Sequence, residues 1–360
     1  MIFLRLVSNI KDAPIKLTTS RNTLIKCILG ICVLTPFYST ADFQGKWEPE
    51  QEPKDNWVIK AEAISYLYNY EWFKRHGGEG YTLFGNVVPI YASTQLSSSV
   101  QLDIGAIGFL KYGDSSQNAL KPLVKINIDL GRQKNLILGT INQSHNIHPS
   151  LSLDNDLYKQ QVEQGFQFTN SNPDNTIDTW ANWVTAETYE SAEYFEVAFI
   201  HNWTFLKQDK LSLFSNEQIL TTHKGGQLTS DPSSIKGIWT QLGLGAQYSN
   251  QTILLKLFNS SYKDNFTPKI QGIGFEVSYI NHWEFENNAQ LTFKANQYVS
   301  DNFYNPDAHP GYNQKSFTQF NLDATWLRND QLNISTGLTL DWINGSFSTV
   351  QYLNVSLIAL

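Results

Sequence analysis

From Trp57 onward the chain alternates apolar and polar residues over runs of about ten positions, a period of two that marks strands with two unlike faces. In Pro122 to Leu130, Val124, Ile126, Ile128 and Leu130 share one face, while Lys125, Asn127 and Asp129 share the other. Between Asp330 and Ile343, Leu332, Ile334, Leu338, Leu340 and Trp342 oppose Asn333, Ser335, Gly337, Thr339 and Asp341. Gln290, Thr292, Lys294 and Asn296 oppose Ala289, Leu291, Phe293 and Ala295, and Gln319, Asn321, Asp323 and Thr325 oppose Phe320, Leu322, Ala324 and Trp326. No amphipathic helix of three turns interrupts the pattern.

The alternation divides into sixteen expected strands: Trp57 to Phe73, Thr82 to Ala92, Leu96 to Tyr112, Leu120 to Leu130, Lys134 to Ile141, Gln161 to Thr169, Ile177 to Ala186, Glu193 to Leu206, Asp209 to Thr222, Lys236 to Tyr248, Gln251 to Tyr262, Lys269 to Trp283, Asn288 to Val299, Ser316 to Leu327, Asp330 to Ile343 and Phe347 to Leu360. The second carries Gly85 and Pro89 and the fifth and sixth are short, which leaves fourteen strands as the alternative count.

A soluble sandwich and a membrane barrel both alternate in this way. Sandwich strands average about 5 to 6 residues, whereas a strand that crosses a bilayer needs about 9 to 11. Many of these runs are longer than a sandwich requires, so the expected fold is all-β: one antiparallel transmembrane barrel. The aromatics Trp57, Trp72, Trp203, Tyr248, Trp283, Trp326 and Trp342 fall near run ends, where amphipathic rings suit the headgroup layer. Connections after odd-numbered strands average about 10 residues and those after even-numbered strands about 3, an asymmetry that puts loops at one end and tight turns at the other. Ser249-Asn250, Arg328-Asn329 and Asn172-Pro173-Asp174-Asn175 carry turn residues at the short end.

The first forty residues read differently. Arg21 and Lys26 precede the apolar run Cys27 to Leu34, followed by Pro36 and the small residues Ser39, Thr40 and Ala41, the layout of a secretory signal peptide with cleavage after Ala41. Residues 1–41 are thus expected to be a leader, 42–56 a short periplasmic segment and 57–360 the barrel. Loss of the leader removes Arg5, Lys11, Lys16, Arg21, Lys26 and Asp12, which takes the net charge from −7 to −11, and it removes both cysteines. The mature barrel then has no disulfide and is held by hydrogen bonds and burial. An acidic chain rich in aromatics (17 Tyr, 21 Phe and 10 Trp) is neither disordered nor suited to nucleic acid.

At this point the chain resembles bacterial outer-membrane β-barrels of the porin-like class, over Trp57 to Leu360 and by pattern alone. The resemblance implies a Gram-negative outer-membrane location with both termini periplasmic, and outer-membrane lipid and the assembly machinery as partners. It implies passive diffusion of small hydrophilic solutes, with no cofactor. Such barrels end on an alternating strand with a terminal Phe or Trp; here Leu353, Val355 and Leu357 alternate with Asn354 and Ser356, and the chain closes on Leu360. Residues 42–56 leave no room for a globular N-terminal plug. The alternation is the same for a lipid-facing wall and an apolar subunit interface, so it sets no oligomeric state.

With polar faces inward, Glu62, Asp103, Lys125, Asp129, Glu276, Lys294, Asp323 and Asp341 line the lumen, as cross-strand pairs or as a permeation path. In general porins the loop after the fifth strand folds inward and narrows the pore. By that likeness Asn142, His145, His148, Asp154, Asp156 and Tyr158 of the longest connection are the expected constriction. Glu187, Glu190, Glu193 and Glu196 form an acidic rim that favours cations or neutral solutes, and Trp180, Asn182 and Trp183 are a wall cluster with sugar stacking as the functional alternative.

His145 and His148 lack a third His or Cys at ligand spacing, and the oxygen-rich sets Asp154-Asn155-Asp156 and Asp301, Asn305, Asp307 lack calcium-loop spacing, so no metal site is expected. Ser144 and His145 are adjacent and point apart in an extended chain, so no catalytic residue is assigned. A lipase-like enzyme borne on the barrel, or a surface-binding protein, is the alternative to the channel.

Overall fold

The computed structural model describes residues 57–359, apart from 73–79, 114, 144, 153–161, 227–233, 267, 286–287 and 330. Among the described residues there are sixteen strands: β1 (Val58–Trp72), β2 (Tyr81–Ser97), β3 (Val100–Lys111), β4 (Ala119–Gly131), β5 (Lys134–Thr140), β6 (Gln164–Asn172), β7 (Asn175–Thr185), β8 (Glu193–Gln208), β9 (Leu211–Gly225), β10 (Ile235–Tyr248), β11 (Gln251–Asp264), β12 (Ile270–Glu284), β13 (Gln290–Asp301), β14 (Ser316–Arg328), β15 (Leu332–Ile343) and β16 (Ser346–Ala359). Each pairs antiparallel with its sequence neighbours, and β1 pairs with β16 to close the barrel. All sixteen expected strands are present, and β2 runs on to Ser97, past the expected end at Ala92. The expected leader and the segment 42–56 lie outside the described residues.

Burial inverts the order of a soluble protein. Along β11 the inward residues Thr252, Lys256, Phe258 and Ser260 are buried, whereas the outward Ile253, Leu255 and Leu257 are exposed. Lys256 is 4% exposed and its neighbour Leu257 is 53%. Strands β10 and β12 repeat this, with Gln241 and Glu276 inside and Leu242, Leu244, Phe275 and Val277 outside. An apolar belt facing outward around a polar interior suits hydrocarbon, because every backbone group is bonded within the closed sheet. Exposed Trp57, Trp203, Tyr248, Trp283 and Trp326 mark the belt's edge at the turn end.

The turn end is tight: residues 98–99, 132–133, 173–174, 209–210 and 249–250 each join two strands. Arg132 and Gln133 both have positive φ (54° and 63°), the geometry whose twist matches that of paired strands; Asn344 (49°) and Gly345 (76°) repeat it in the β15–β16 turn at the opposite end. At the other end, residues 141–163 and 302–315 form the two longest connections.

The apolar core lies inside the barrel. Ile137, Leu151, Trp180, Leu220, Trp239, Phe258, Tyr298, Phe303, Tyr312 and Phe317 form one buried cluster that mixes wall residues with residues of both long loops. A second cluster, Ile64, Tyr66, Val87, Ile107, Phe109 and Leu123, lines β1 to β4, with Val162 of the first loop packed against it.

A charge placed on the belt tests the orientation. Leu255→Arg is expected to lower unfolding stability in lipid vesicles by about 2–4 kcal/mol, read from denaturant titration, because it puts a cation in hydrocarbon. An unchanged midpoint would contradict a lipid-facing Leu255.

Candidate functional site in the barrel lumen

Two loops enter the lumen and meet there. In the first, Pro149 follows His148, and the Leu151 and Ser152 amides donate back to the His148 carbonyl at 2.8 and 3.2 Å, forming a compact turn. In the second, the Asn305 side chain accepts the Asp307 amide at 3.0 Å, and a short 3₁₀ turn, Pro310–Asn313, follows. His309 caps that turn by accepting the Gly311 amide at 3.2 Å through Nδ1. The loops are bonded to each other: the His309 amide donates to the Pro149 carbonyl at 2.8 Å, and Asn305 Nδ2 donates to the Ser150 carbonyl at 2.9 Å and to the Leu151 carbonyl. The Trp239 indole N–H donates to the Tyr304 carbonyl at 2.8 Å, tying the second loop to β10. A Cβ on Gly237 would lie 2.0 Å from the Trp239 ring, so glycine at that position makes room for the indole.

Three histidines of these loops face carboxylates. His145 sits between Glu163 (Nε2 to Oε2, 2.5 Å) and Asp178 (Nδ1 to Oδ2, 2.9 Å) and stacks on Trp180 with ring centroids 3.6 Å apart. Gln167 donates to the other Asp178 oxygen at 2.8 Å. Burial opposes the charge on His145, but the two carboxylates outweigh it and push the imidazolium up to about 10.

His148 has the opposite fate. Lys256 Nζ lies 2.9 Å from its Nε2, and donates to Glu276 Oε1 at 2.7 Å and to Ser278 Oγ at 3.3 Å. Burial, with the Lys256 ammonium beside it, drives His148 down to about 3 against the pull of Glu276, so the ring is neutral. Its Nδ1 accepts the Ser150 amide at 3.2 Å and lies 2.9 Å from Ser150 Oγ. Glu276 is completed by Ser278 Oγ at 2.7 Å and by the Tyr312 hydroxyl at 2.5 Å. Burial and the adjacent carboxylate hold that phenol well above its usual range, which keeps it a donor.

His309 Nε2 lies 3.1 Å from Asp341 Oδ2. Asp341 Oδ1 accepts Gln319 at 2.8 Å, and Gln319 in turn accepts Asn296 at 3.0 Å.

Of the residues expected to line a constriction, Asn142, His145 and His148 lie inside the barrel, and Asp154, Asp156 and Tyr158 fall outside the described residues. Of the wall charges, Asp103, Lys125, Glu276 and Asp341 are buried, Glu62, Lys294 and Asp323 are half-buried, and Asp129 is exposed beside a turn. Asp103 and Lys125 stand opposite each other on β3 and β4, and Lys125 donates to Asn142 at 2.6 Å. Asp323 accepts the Tyr352 hydroxyl at 2.9 Å, and Glu62 accepts Ser356 at 2.6 Å. Trp180 and Asn182 point inward and are buried, while Trp183 is exposed and stacks on Phe195. Asn305 is buried between the two loops. Lys256, Glu163, Asp178, His309 and Tyr312 were not among the expected site residues. Lys256 had a signal, being a lysine in strict alternation with Leu255 and Leu257.

The belt and the closed sheet define an outer-membrane β-barrel of porin-like form. The chain belongs to the lipid A 3'-O-deacylase-type family, whose model matches residues 48–334. No curated protein matches the sequence. Among solved structures the barrel is similar to the anion-selective porin from Comamonas acidovorans (TM-score 0.51, 10% identity, 84% of this chain and 100% of that one). It is also similar to the trimer form of OmpT from Vibrio cholerae (TM-score 0.51, 6% identity, 85% and 100%) and to OccK2 from Pseudomonas aeruginosa (TM-score 0.50, 12% identity, 85% and 98%). These are likenesses of fold.

The two first-loop histidines give opposite pH limbs. His145 is raised from 6.5, so its contribution is full below pH 6.5 and is lost as pH climbs through about 10. His148 is lowered from 6.5, so its contribution is full above pH 6.5 and is lost as pH falls towards about 3. Amide-exchange protection of residues 145–152, corrected for intrinsic rate, is expected to peak near neutrality. His148→Gln should flatten the acid limb and leave the alkaline one; parallel profiles in variant and parent would refute the assignment. His145→Leu, which strands the buried Glu163 and removes a partner from the half-buried Asp178, should cost about 3–5 kcal/mol of the same protection.

Proposed function

We propose that the protein is an outer-membrane channel for small hydrophilic solutes that rests closed. The observation that carries this reading is that two loops fold into the lumen and pack on its wall. A barrel of sixteen strands is wide enough for a water-filled passage unless something fills it. Here the described filling comes from residues 141–143, 145–152 and 302–315, joined to the wall through His145, His148, His309, Tyr312 and the Tyr304 carbonyl. Contacts of this kind between loop and wall can be broken and remade. The polar wall residues Asp103, Lys125, Glu276 and Asp341 become pore-lining once the loops withdraw. Orientation follows the porin pattern, with turns and termini periplasmic and the long loops at the cell surface.

A second reading, hydrolysis of a lipid-borne acyl ester, is supported by family membership and by the row Ser150, His148, Glu276. Ser150 Oγ lies 2.9 Å from His148 Nδ1, and His148 Nε2 lies 3.5 Å from Glu276 Oε1. Two features weigh against it. The Nδ1 lone pair that a general base would use already accepts the Ser150 backbone amide at 3.2 Å. Ser150 is also fully buried, out of reach of a lipid ester.

Planar-bilayer recording separates the two. Asn305→Ala removes the amide that joins the loops and is expected to raise open probability several-fold over rare openings of the parent, a change of about 1 kcal/mol per lost bond. A barrel silent in both forms that releases fatty acid from lipid A vesicles, and loses this with Ser150→Ala, would replace the channel reading with the hydrolase.

A further inference from the structure

The apolar belt is interrupted on the outer face of β7 to β9. The outward residues His201 and Glu217 stand directly opposite each other on β8 and β9, with His201 Nδ1 2.8 Å from Glu217 Oε2 and His201 Nε2 3.2 Å from Asn175 Oδ1 of β7. Apolar outward side chains surround the pair: Phe199 and Ile219 towards the loop end, Leu213 towards the turn end, and Ile177 and Leu242 on the flanking strands. Two residues from Glu217 on the same face, Ser215 is 6% exposed, and its hydroxyl has no hydrogen-bond partner among the described residues. Hydrocarbon offers an ionisable pair or a hydroxyl nothing to bond to, so this face is costly wherever lipid covers it. A wall covered by lipid and a wall covered by protein share the same alternation, and these residues separate them.

We propose that this face joins two copies of the chain across a twofold axis along the membrane normal. Charge complementarity points to a second copy. Barrels in one membrane share one orientation, so a twofold axis between them keeps depth and exchanges left and right. A face with a histidine on one strand and a glutamate on the next then meets its own reverse, and His201 of each copy is set against Glu217 of the other. A threefold ring brings unlike faces together and loses that match. The side chains beside the pair suit close approach. Thr179 and Thr221 are small and their hydroxyls are already bonded to the Ala198 and Val197 carbonyls of β8, at 2.8 and 3.2 Å. Ser215 has no such bond and is left for the partner. Small residues around a polar centre hold segments together where lipid supplies no hydrophobic drive. The inference is independent of what the lumen conducts.

Energy transfer between donor-labelled and acceptor-labelled barrels, followed as they are diluted in phospholipid vesicles, reads the association in lipid. The parent is expected to associate as pairs. His201→Leu combined with Glu217→Leu makes the face wholly apolar and should weaken association at least about tenfold. The exchange of His201→Glu with Glu217→His keeps the pair and its reverse match, and should associate within about twofold of the parent. Heat-modifiable migration on a detergent gel confirms that each variant is a closed barrel. A parent that stays monomeric at high protein-to-lipid ratio, a stoichiometry of three, a leucine variant that pairs like the parent, or an exchange variant that pairs no better than the leucine one would each overturn the interface. A monomeric parent that carries phospholipid through purification, and loses it in the leucine variant, would give the face to lipid instead.

Discussion

A carboxylate shut off from water needs a cation or hydrogen-bond donors beside it, since an isolated buried ion costs several kcal/mol. In this barrel Glu276 and Asp341 are wholly buried on the inner wall, and loop groups stand against both: the Tyr312 hydroxyl donates to Glu276 at 2.5 Å, and His309 Nε2 lies 3.1 Å from Asp341. Asp178 takes His145 from the loop and Gln167 from the wall. The dependence runs both ways. The loops are too short of their own apolar residues to be stable alone, and they gain a dry seat only by packing Leu151, Phe303 and Tyr312 against Trp239 and Phe258. Wall charge and loop position are one constraint, and a change to either is felt by the other.

His145 and His148 show how local this constraint is. Three residues apart in one loop, one is held as a cation between two carboxylates and the other as a neutral ring against an ammonium. Sequence spacing gives no hint of that difference, because it is set by which wall strand each ring meets: β7 for His145, β11 and β12 for His148. The strands themselves were legible, since a period of two survives in lipid as in water and only the sense of inside and outside reverses. Tight turns such as Ser249-Asn250 were legible from residue type. The partners of the lumen were not. Glu276 and Lys256 stand opposite each other across a hairpin and share the alternation, so that pair was within reach of the pattern. His309 to Asp341, and Asn305 to Ser150, depend on the path of long loops through the lumen, on which alternation has no bearing.

Family and fold pull in different directions. The family is named for a lipid A deacylase, while the similar solved structures are outer-membrane proteins at 6 to 12% identity, too distant to carry function. The interior bears on both. A lumen packed with the wall residues Trp239, Phe258 and Tyr298 makes a stiff scaffold for chemistry at a rim, and the loop residues Leu151, Phe303 and Tyr312 packed on them are removable, as a gate requires. What distinguishes the two uses is the cost of withdrawing the loops, which is set by the polar contacts and not by the sheet.

The pairing of β1 with β16 has a consequence for how such a molecule is made. Every other strand bonds to its neighbours in sequence, so those hairpins form from local chain. The seam instead joins Ala61 to Ala359 and Tyr68 to Tyr352, and the Glu62 to Ser356 hydrogen bond bridges it. Closing it requires ends nearly three hundred residues apart to meet, the most entropically expensive contact in the fold. Until it closes, two unpaired edges are open to any passing strand. Closure of the ring is therefore the natural last step of biogenesis, and the seam is the line along which an unfinished barrel would be most vulnerable to quality-control proteases.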